Sequence, residues 1–342
     1  MVIRAKAPLR IGLAGGGTDV SPYSDLYGGA ILNATVSLYA YATIEPLDNG
    51  QIIFESIDLD ERQSLKSKKK LAIDGQLDLF KGVYNRVIKD FVKKPLSFKL
   101  TSYVDVPKGS GMGTSSTVTV AVLGAFSEWL NLPLGEYDIA KLAYEIERVD
   151  LAMAGGKQDQ YAATFGGFNF MEFYESDKVI VNPLRIKETY LDELEYNLLL
   201  YYTGTSRLSA KIIEKQAKEF KGKKSKSIEA AHLVKKQAQL MKEALLTGQF
   251  NELGKLLDFG WQNKKKMAPG ISNAVIDELY DTALKAGATG GKISGAGGGG
   301  FMTLYCPGNT RFEVVQALTP YGGVFYPFRF TKQGLKTWSM ST

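Results

Sequence analysis

The sequence predicts a two-domain α+β protein. Its 342 residues, 44% of them hydrophobic, suffice for two modest cores. Strand-like alternation and helix-like repeats follow one another in both halves, and a mostly polar stretch, 185–195, lies between them as a connection. The expected domains are therefore 1–190 and 191–342. Three glycine-rich stretches, near the start, in the middle and near the end, fall at junctions between such elements.

Taken in order, 3–13 reads as a pair of short strands around Pro8 that run into Ala14, Gly15, Gly16, Gly17, Thr18 and Asp19. From 30 to 57, β-branched and aromatic residues such as Val36, Tyr39, Tyr41, Ile52 and Phe54, with a turn at Asp48, Asn49 and Gly50, predict a small antiparallel sheet. Segment 77–92 puts Leu77, Phe80, Val87, Ile88 and Phe91 on one face of a helix. Leu96, Phe98 and Leu100 alternate with polar residues as in a strand. After the central glycines, Val118, Val122, Ala125, Phe126 and Trp129 repeat as in a helix. A further helix starts near Gly135 and carries Ile139, Leu142, Ala143 and Ile146, and 166–174 returns to strand composition. The second half predicts a strand at 197–203 and helices over 206–220, 228–245, 251–265 and 273–285. A Lys-rich loop near Lys223 is expected to be mobile. Strands at 291–294 and 301–305 flank the last glycine run.

Composition excludes several classes. The net charge of +6 is concentrated in the runs 66–70, 218–226 and 264–266, which read as solvated faces or loops and lack the interleaved aromatics that base stacking needs. The charge suits an anionic small-molecule partner at least as well as nucleic acid. No apolar run approaches the roughly 18 residues that cross a bilayer. The first ten residues carry Arg4, Lys6 and Arg10 without an apolar stretch, so no signal peptide is read and a cytoplasmic location is expected. The single cysteine, Cys306, lies among apolar residues and reads as a buried thiol; with one histidine, His232, there is no histidine metal site.

The chemistry is carried by the glycines and three acidic residues. Pro107, Lys108, Gly109, Ser110, Gly111, Met112, Gly113, Thr114, Ser115 and Ser116 join a strand to a helix start, where unpaired N–H groups and the dipole favour phosphate. The loop is neither a Walker A motif nor a dinucleotide fingerprint, since its glycines alternate and no Lys-Ser/Thr closes it. A glycine turn leading into a helix N-cap is the other reading. Gly16 and Gly17 beside Asp19 suit a polyol or sugar, or else a tight turn that Asp19 caps. Glu147 precedes a second glycine pair, Gly155 and Gly156, after which come Lys157, Gln158 and Asp159. Asp159 is either a reacting carboxylate or the N-cap of a short helix beginning at Gln160.

The three glycine motifs, with Glu147 and Asp159 between them, resemble those of the GHMP kinases over nearly the whole chain: 7–19, then 107–117, then 292–300. The resemblance implies an N-terminal domain like the second domain of ribosomal protein S5 and a C-terminal ferredoxin-like domain, with the active site between them. It implies ATP as phosphoryl donor, Mg²⁺ on Ser115 and Glu147, and Asp159 as catalytic base with Arg10 as its cation. Residues 8–35 and 158–167 resemble the heptose 7-phosphate kinase branch, which implies transfer to the anomeric hydroxyl of D-glycero-D-manno-heptose 7-phosphate. By the same match, Gly16, Gly17, Asp19, Gly156, Gln158, Thr203 and Arg207 are expected at the sugar. No motif matches a pocket for the distal phosphate; because a dianion needs a cationic partner, Arg207 or Lys157 is expected on it. Another kinase of the fold, such as an L-fucose 1-kinase, and a non-catalytic ligand- or RNA-binding protein are the alternatives.

Overall fold

The structure is a computed structural model that describes residues 1–205, 209–222 and 224–341. Arg207 and Lys223 lie outside the described residues. In chain order the first half contains β1 (Val2–Ala14), α1 (Tyr23–Tyr27), β2 (Gly29–Pro46), β3 (Gln51–Ser56), β4 (Glu61–Lys66), α2 (Asp78–Val87), β5 (Phe98–Val104), α3 (Thr114–Leu130), α4 (Glu136–Glu145), α5 (Gln158–Phe165), β6 (Phe168–Phe173) and β7 (Val179–Pro183). The second contains α6 (Glu188–Asn197), β8 (Leu198–Tyr202), α7 (Ser209–Lys221), α8 (Ser225–Thr247), α9 (Phe250–Lys264), α10 (Ala274–Lys285), β9 (Gly290–Ile293), β10 (Phe301–Tyr305), α11 (Arg311–Leu318), β11 (Val324–Phe325) and β12 (Lys336–Met340). Five-residue π turns extend α2 and α4.

The fold is α+β, as expected. The first sheet runs β12-β1-β2-β5-β3-β4, with β6 and β7 added along the first part of β2. The expected pair of strands around Pro8 is one continuous β1, whose ladder to β2 slips between Pro8 and Arg10. A bulge there removes the need for the N–H that proline lacks. The turn at 48–50 does not close a hairpin between β2 and β3, because β5 inserts between them and pairs parallel to β3. The polar stretch 185–195 is not a bare connection; most of it is α6.

The second sheet, β11-β8-β10-β9, is fully antiparallel and has the strand order of a ferredoxin-like domain. The chain then returns: β12 pairs with β1, so the last residues complete the first sheet across the expected division at 190. Cys306 is buried under this second sheet, where loss of solvent pushes its thiol up to about 12. No helix among the described residues is long and apolar enough to cross a membrane.

Helix α3 fixes the site. The helix packs on β1 and β2, and its Val120, Val122, Leu123 and Phe126 are fully buried, each contributing about 1.5–3 kcal/mol by its burial. Its N-terminus, and the glycine loop before it, are thereby held at the seam, where α8 and α9 pack on β1.

Candidate active site

The loop between β5 and α3 needs alternate glycines for a conformational reason. Gly109, Gly111 and Gly113 have φ of +76°, +80° and +79°. Left-handed residues alternating along the chain turn successive N–H groups toward one concavity, an anion nest. Met112 is buried in the core, and the Ser110 hydroxyl bonds Thr114 Oγ1 at 2.8 Å. Gly113 occupies the N-cap of α3 and no side chain caps the helix, so its first-turn N–H groups remain available for an anion.

The third glycine run lies directly on this loop. A Cβ on Gly111 would stand 2.7 Å from the Ser294 carbonyl oxygen, and one on Gly300 would stand 2.4 Å from that of Ser110. Phe301 N–H donates to the Ser110 carbonyl at 2.9 Å, and Thr203 donates to Gly300 through both N–H and hydroxyl. The second domain is thus bonded to the loop backbone to backbone.

Asp159 is the second residue of α5, and its carboxylate does not cap that helix. Arg10 takes it instead, with Nε and Nη2 both 2.7 Å from Oδ1, while Nη1 donates to the Gly111 carbonyl at 2.8 Å. A Cβ on Gly113 would lie 3.0 Å from Asp159 Cγ. One arginine therefore ties the carboxylate to the phosphate loop. The cap of α5 comes from Asp19, whose Oδ2 accepts the N–H groups of Lys157 and Gln158 at 2.9 and 3.1 Å. Gly156 is glycine because a Cβ there would fall 1.9 Å from that oxygen. Burial, with Asp159 nearby, raises the Asp19 carboxyl above its ordinary range, opposed by those backbone bonds.

Glu147 is fully buried, with Ser116 donating at 2.7 Å, Thr119 at 3.1 Å and Gln160 also bonded; Arg148 lies 3.4 Å away. Burial raises its carboxyl, against the Arg148 charge and these donors. The serine that meets Glu147 is Ser116; Ser115 is exposed at the first turn of α3. No group of three or more His, Cys, Asp or Glu side chains forms a metal cluster among the described residues.

The remaining expected residues divide. Gln158 is buried beside the site with no partner for Oε1. Gly17 lies against α7, its carbonyl accepting from Gln216 at 2.8 Å. Lys157 is buried and already holds Asp25 at 3.0 Å and Asp177 at 2.8 Å. Lys157→Ala is expected to lower stability by about 1–2 kcal/mol, less than for a fully buried pair because both carboxylates are partly exposed. Urea unfolding checks this. His232 bonds Tyr23 through Nδ1 at 2.8 Å, a contact between α1 and α8.

Two site residues were not legible in the sequence. Lys264 belongs to a run that reads as solvated, yet it is 3% exposed at the end of α9. Burial and the Arg10 charge bring its amine down to about 8, with Asp19 and Asp159 opposing. Lys292 on β9 is also buried, and loss of solvent lowers its amine well below the ordinary range. Lys264 carries no local signal, and Lys292 opens the third glycine motif without showing that its amine is buried; both burials come from the meeting of the two domains.

A cavity of about 400 Å³ opens beside the phosphate loop, between Lys108, Gly109 and Ser115 on one side and Leu77, Phe80 and Leu151 on the other, with Asp58 at its rim. Its size and mostly apolar wall suit a flat heterocycle.

Residues 78–167 match the GHMP kinases N terminal domain, and residues 241–320 match the GHMP kinases C terminal domain. A D-glycero-alpha-D-manno-heptose 7-phosphate kinase of Campylobacter jejuni is 52% identical over 98% of both chains. An L-fucokinase/L-fucose-1-P guanylyltransferase of Bacteroides fragilis is 28% identical over 89% of this chain and 34% of its own. Among solved structures, a D-glycero-D-manno-heptose 1-phosphate kinase from Bacteroides thetaiotaomicron superposes with a TM-score of 0.86 at 48% identity, covering 99% of this chain and 100% of its own.

Proposed function

The chain belongs to the GHMP kinases, and we propose that it transfers the γ-phosphoryl group of ATP to the anomeric hydroxyl of D-glycero-D-manno-heptose 7-phosphate, giving ADP and the 1,7-bisphosphate. The observation that carries this reading is Asp159, held by Arg10 against the phosphate loop at Gly113. Phosphoryl transfer asks little covalent work of a protein; it needs the phosphates held, their charge offset and the acceptor oxygen aligned.

In this reading Asp159 accepts the anomeric proton as that oxygen bonds to the γ-phosphorus and the bond to the β,γ-bridging oxygen breaks. The nest at 109–113 and the uncapped start of α3 hold the phosphates, and the cavity beside Lys108 takes the adenosine. Gly16, Gly17, Asp19, Gly156, Gln158 and Thr203 border the sugar.

Mg²⁺ belongs to the same proposal. The residues offered are oxygen donors, a carboxylate on Glu147 and the hydroxyl of Ser115 beside the phosphate nest, which is the donor chemistry that ion takes together with substrate phosphates and water. When bound it would offset the charge of the nucleotide phosphates. Ser115→Ala is expected to raise the Mg²⁺ concentration for half-maximal rate about tenfold. Ser116→Ala should mainly lower thermal stability, by leaving buried Glu147 one donor short. If the Mg²⁺ dependence follows Ser116 alone, Ser115 is not a ligand.

The test of the reaction is ADP release with Mg-ATP and a panel of acceptors: the heptose 7-phosphate, the heptose 1-phosphate, the free heptose, L-fucose, galactose and mevalonate. The two heptose kinases similar to this chain differ in the position of the phosphate in their names, so the first two acceptors are the decisive pair. Turnover of the 7-phosphate at about 1–100 s⁻¹ is expected. Preference for the 1-phosphate would move the acceptor hydroxyl, and preference for L-fucose would remove the need for a distal phosphate.

A further inference from the structure

Four lysines are buried among the described residues: Lys81, Lys157, Lys264 and Lys292. Lys81 and Lys157 each face two carboxylates, as buried charge requires. Among the described residues, Lys264 and Lys292 face none at ion-pair distance. Their amines donate only to carbonyls, Lys264 to Gly295 and Lys292 to Gly12 at 2.8 Å, which leaves further N–H groups on each.

Gly12 and Gly16 border the same place, and neither has a backbone reason to be glycine, since neither has a positive φ. A Cβ on Gly16 would meet only the Lys264 and Lys292 amines, at 3.2 and 4.0 Å; one on Gly12 would meet Lys292 Nζ at 3.7 Å and Gln158 Oε1 at 3.9 Å. The glycines keep side chains away from two amines that have no carboxylate at ion-pair distance among the described residues. Gln158 Oε1 and Ser294 Oγ are buried without partners in the same region. Of the nearby charges, Arg10 is already paired with Asp159, and Asp19 is engaged by the backbone of α5.

We propose that Lys264 and Lys292 bind the non-reacting phosphate of the sugar phosphate in the space left by Gly12 and Gly16. A phosphate dianion offsets two ammonium groups and accepts their remaining hydrogen bonds, which neutral sugar hydroxyls cannot do. The assignment rests on the reading that the acceptor is a heptose 7-phosphate. It puts the distal phosphate on Lys264 instead of Lys157, whose charge is already satisfied.

Lys264→Met and Gly16→Ala are the variants, each compared with the native enzyme on the heptose 7-phosphate and on the free heptose. Gly16→Ala crowds the space without removing a charge and so stands if Lys264→Met does not fold. Both should raise the KM for the 7-phosphate about 10- to 100-fold, the range for bonds to charged groups. The KM for ATP should stay within about twofold, and the loss of kcat/KM should be at least about tenfold greater on the 7-phosphate than on the free heptose. An equal fall on both acceptors would overturn the proposal and make Lys264 a positioning residue for Asp159. Unchanged kinetics on the 7-phosphate in both variants would overturn it as well. A native enzyme that prefers the free heptose or the 1-phosphate overturns the reaction itself and this assignment with it, whereas a retained 7-phosphate preference in both variants removes only the lysines.

Discussion

Asp159→Asn is expected to lower kcat by about 10²- to 10⁴-fold, the contribution of a positioned general base, while the Kd for ATP stays within about twofold. The asparagine keeps the size of the side chain and an oxygen for Arg10, whose Nε and Nη2 now hold Asp159 Oδ1. It removes the proton acceptor and the charge. Titration calorimetry with ATP alongside single-turnover phosphoryl transfer separates binding from chemistry. Turnover near the native rate would take Asp159 out of the reaction and leave Arg10 as the principal charge at the phosphate loop. A parallel loss of ATP binding would mean that the Arg10–Asp159 pair builds the loop and does not serve the transfer step.

Gly111→Ala is expected to damage both stability and ATP binding. The residue has φ of +80°, which costs an L-residue about 1–2 kcal/mol, and its Cβ would lie 2.7 Å from the Ser294 carbonyl oxygen. Neither backbone can yield independently, because Phe301 N–H is bonded to Ser110 and Arg10 to the Gly111 carbonyl. We expect a stability loss above about 2 kcal/mol and a rise in the KM for ATP of at least about tenfold. Gly50→Ala provides the control: its φ is +72° but a Cβ would meet nothing within 4 Å, so only the backbone cost should appear and the kinetics should not change. Equal behaviour of the two variants would mean that the contact between the phosphate loop and the third glycine run is unimportant.

Much of this architecture is local and was therefore legible. Alternation and 3.6-residue repeats mark β5, α3, α8 and β10, and the alternating glycines of 109–113 announce alternating left-handed residues. Where the reading departs from the structure, the deciding contact is distant in sequence. The residues of β2 and β3 look like hairpin partners, but β5 offers each of them a better-buried neighbour. Asp159 has the position of a helix cap, and only the arrival of Asp19 at the N-terminus of α5 frees it for Arg10.

What the sequence determined by itself is most of the longer helices and strands, the three glycine motifs and the identity of the carboxylates that surround the phosphate loop. These depend on backbone conformation and side-chain periodicity, both of which are properties of short segments. The tertiary structure alone decided how charge is distributed in the site. It seats Ser116, and not its neighbour, on Glu147; it gives Lys157 two carboxylates; and it brings Lys264 and Lys292 together beside Gly16 with none. A lysine's sequence neighbours do not reveal whether its amine ends in water, on a carboxylate or in a dry seam. That depends on which surfaces the two domains bury against each other, and the electrostatics of the site follow from that burial.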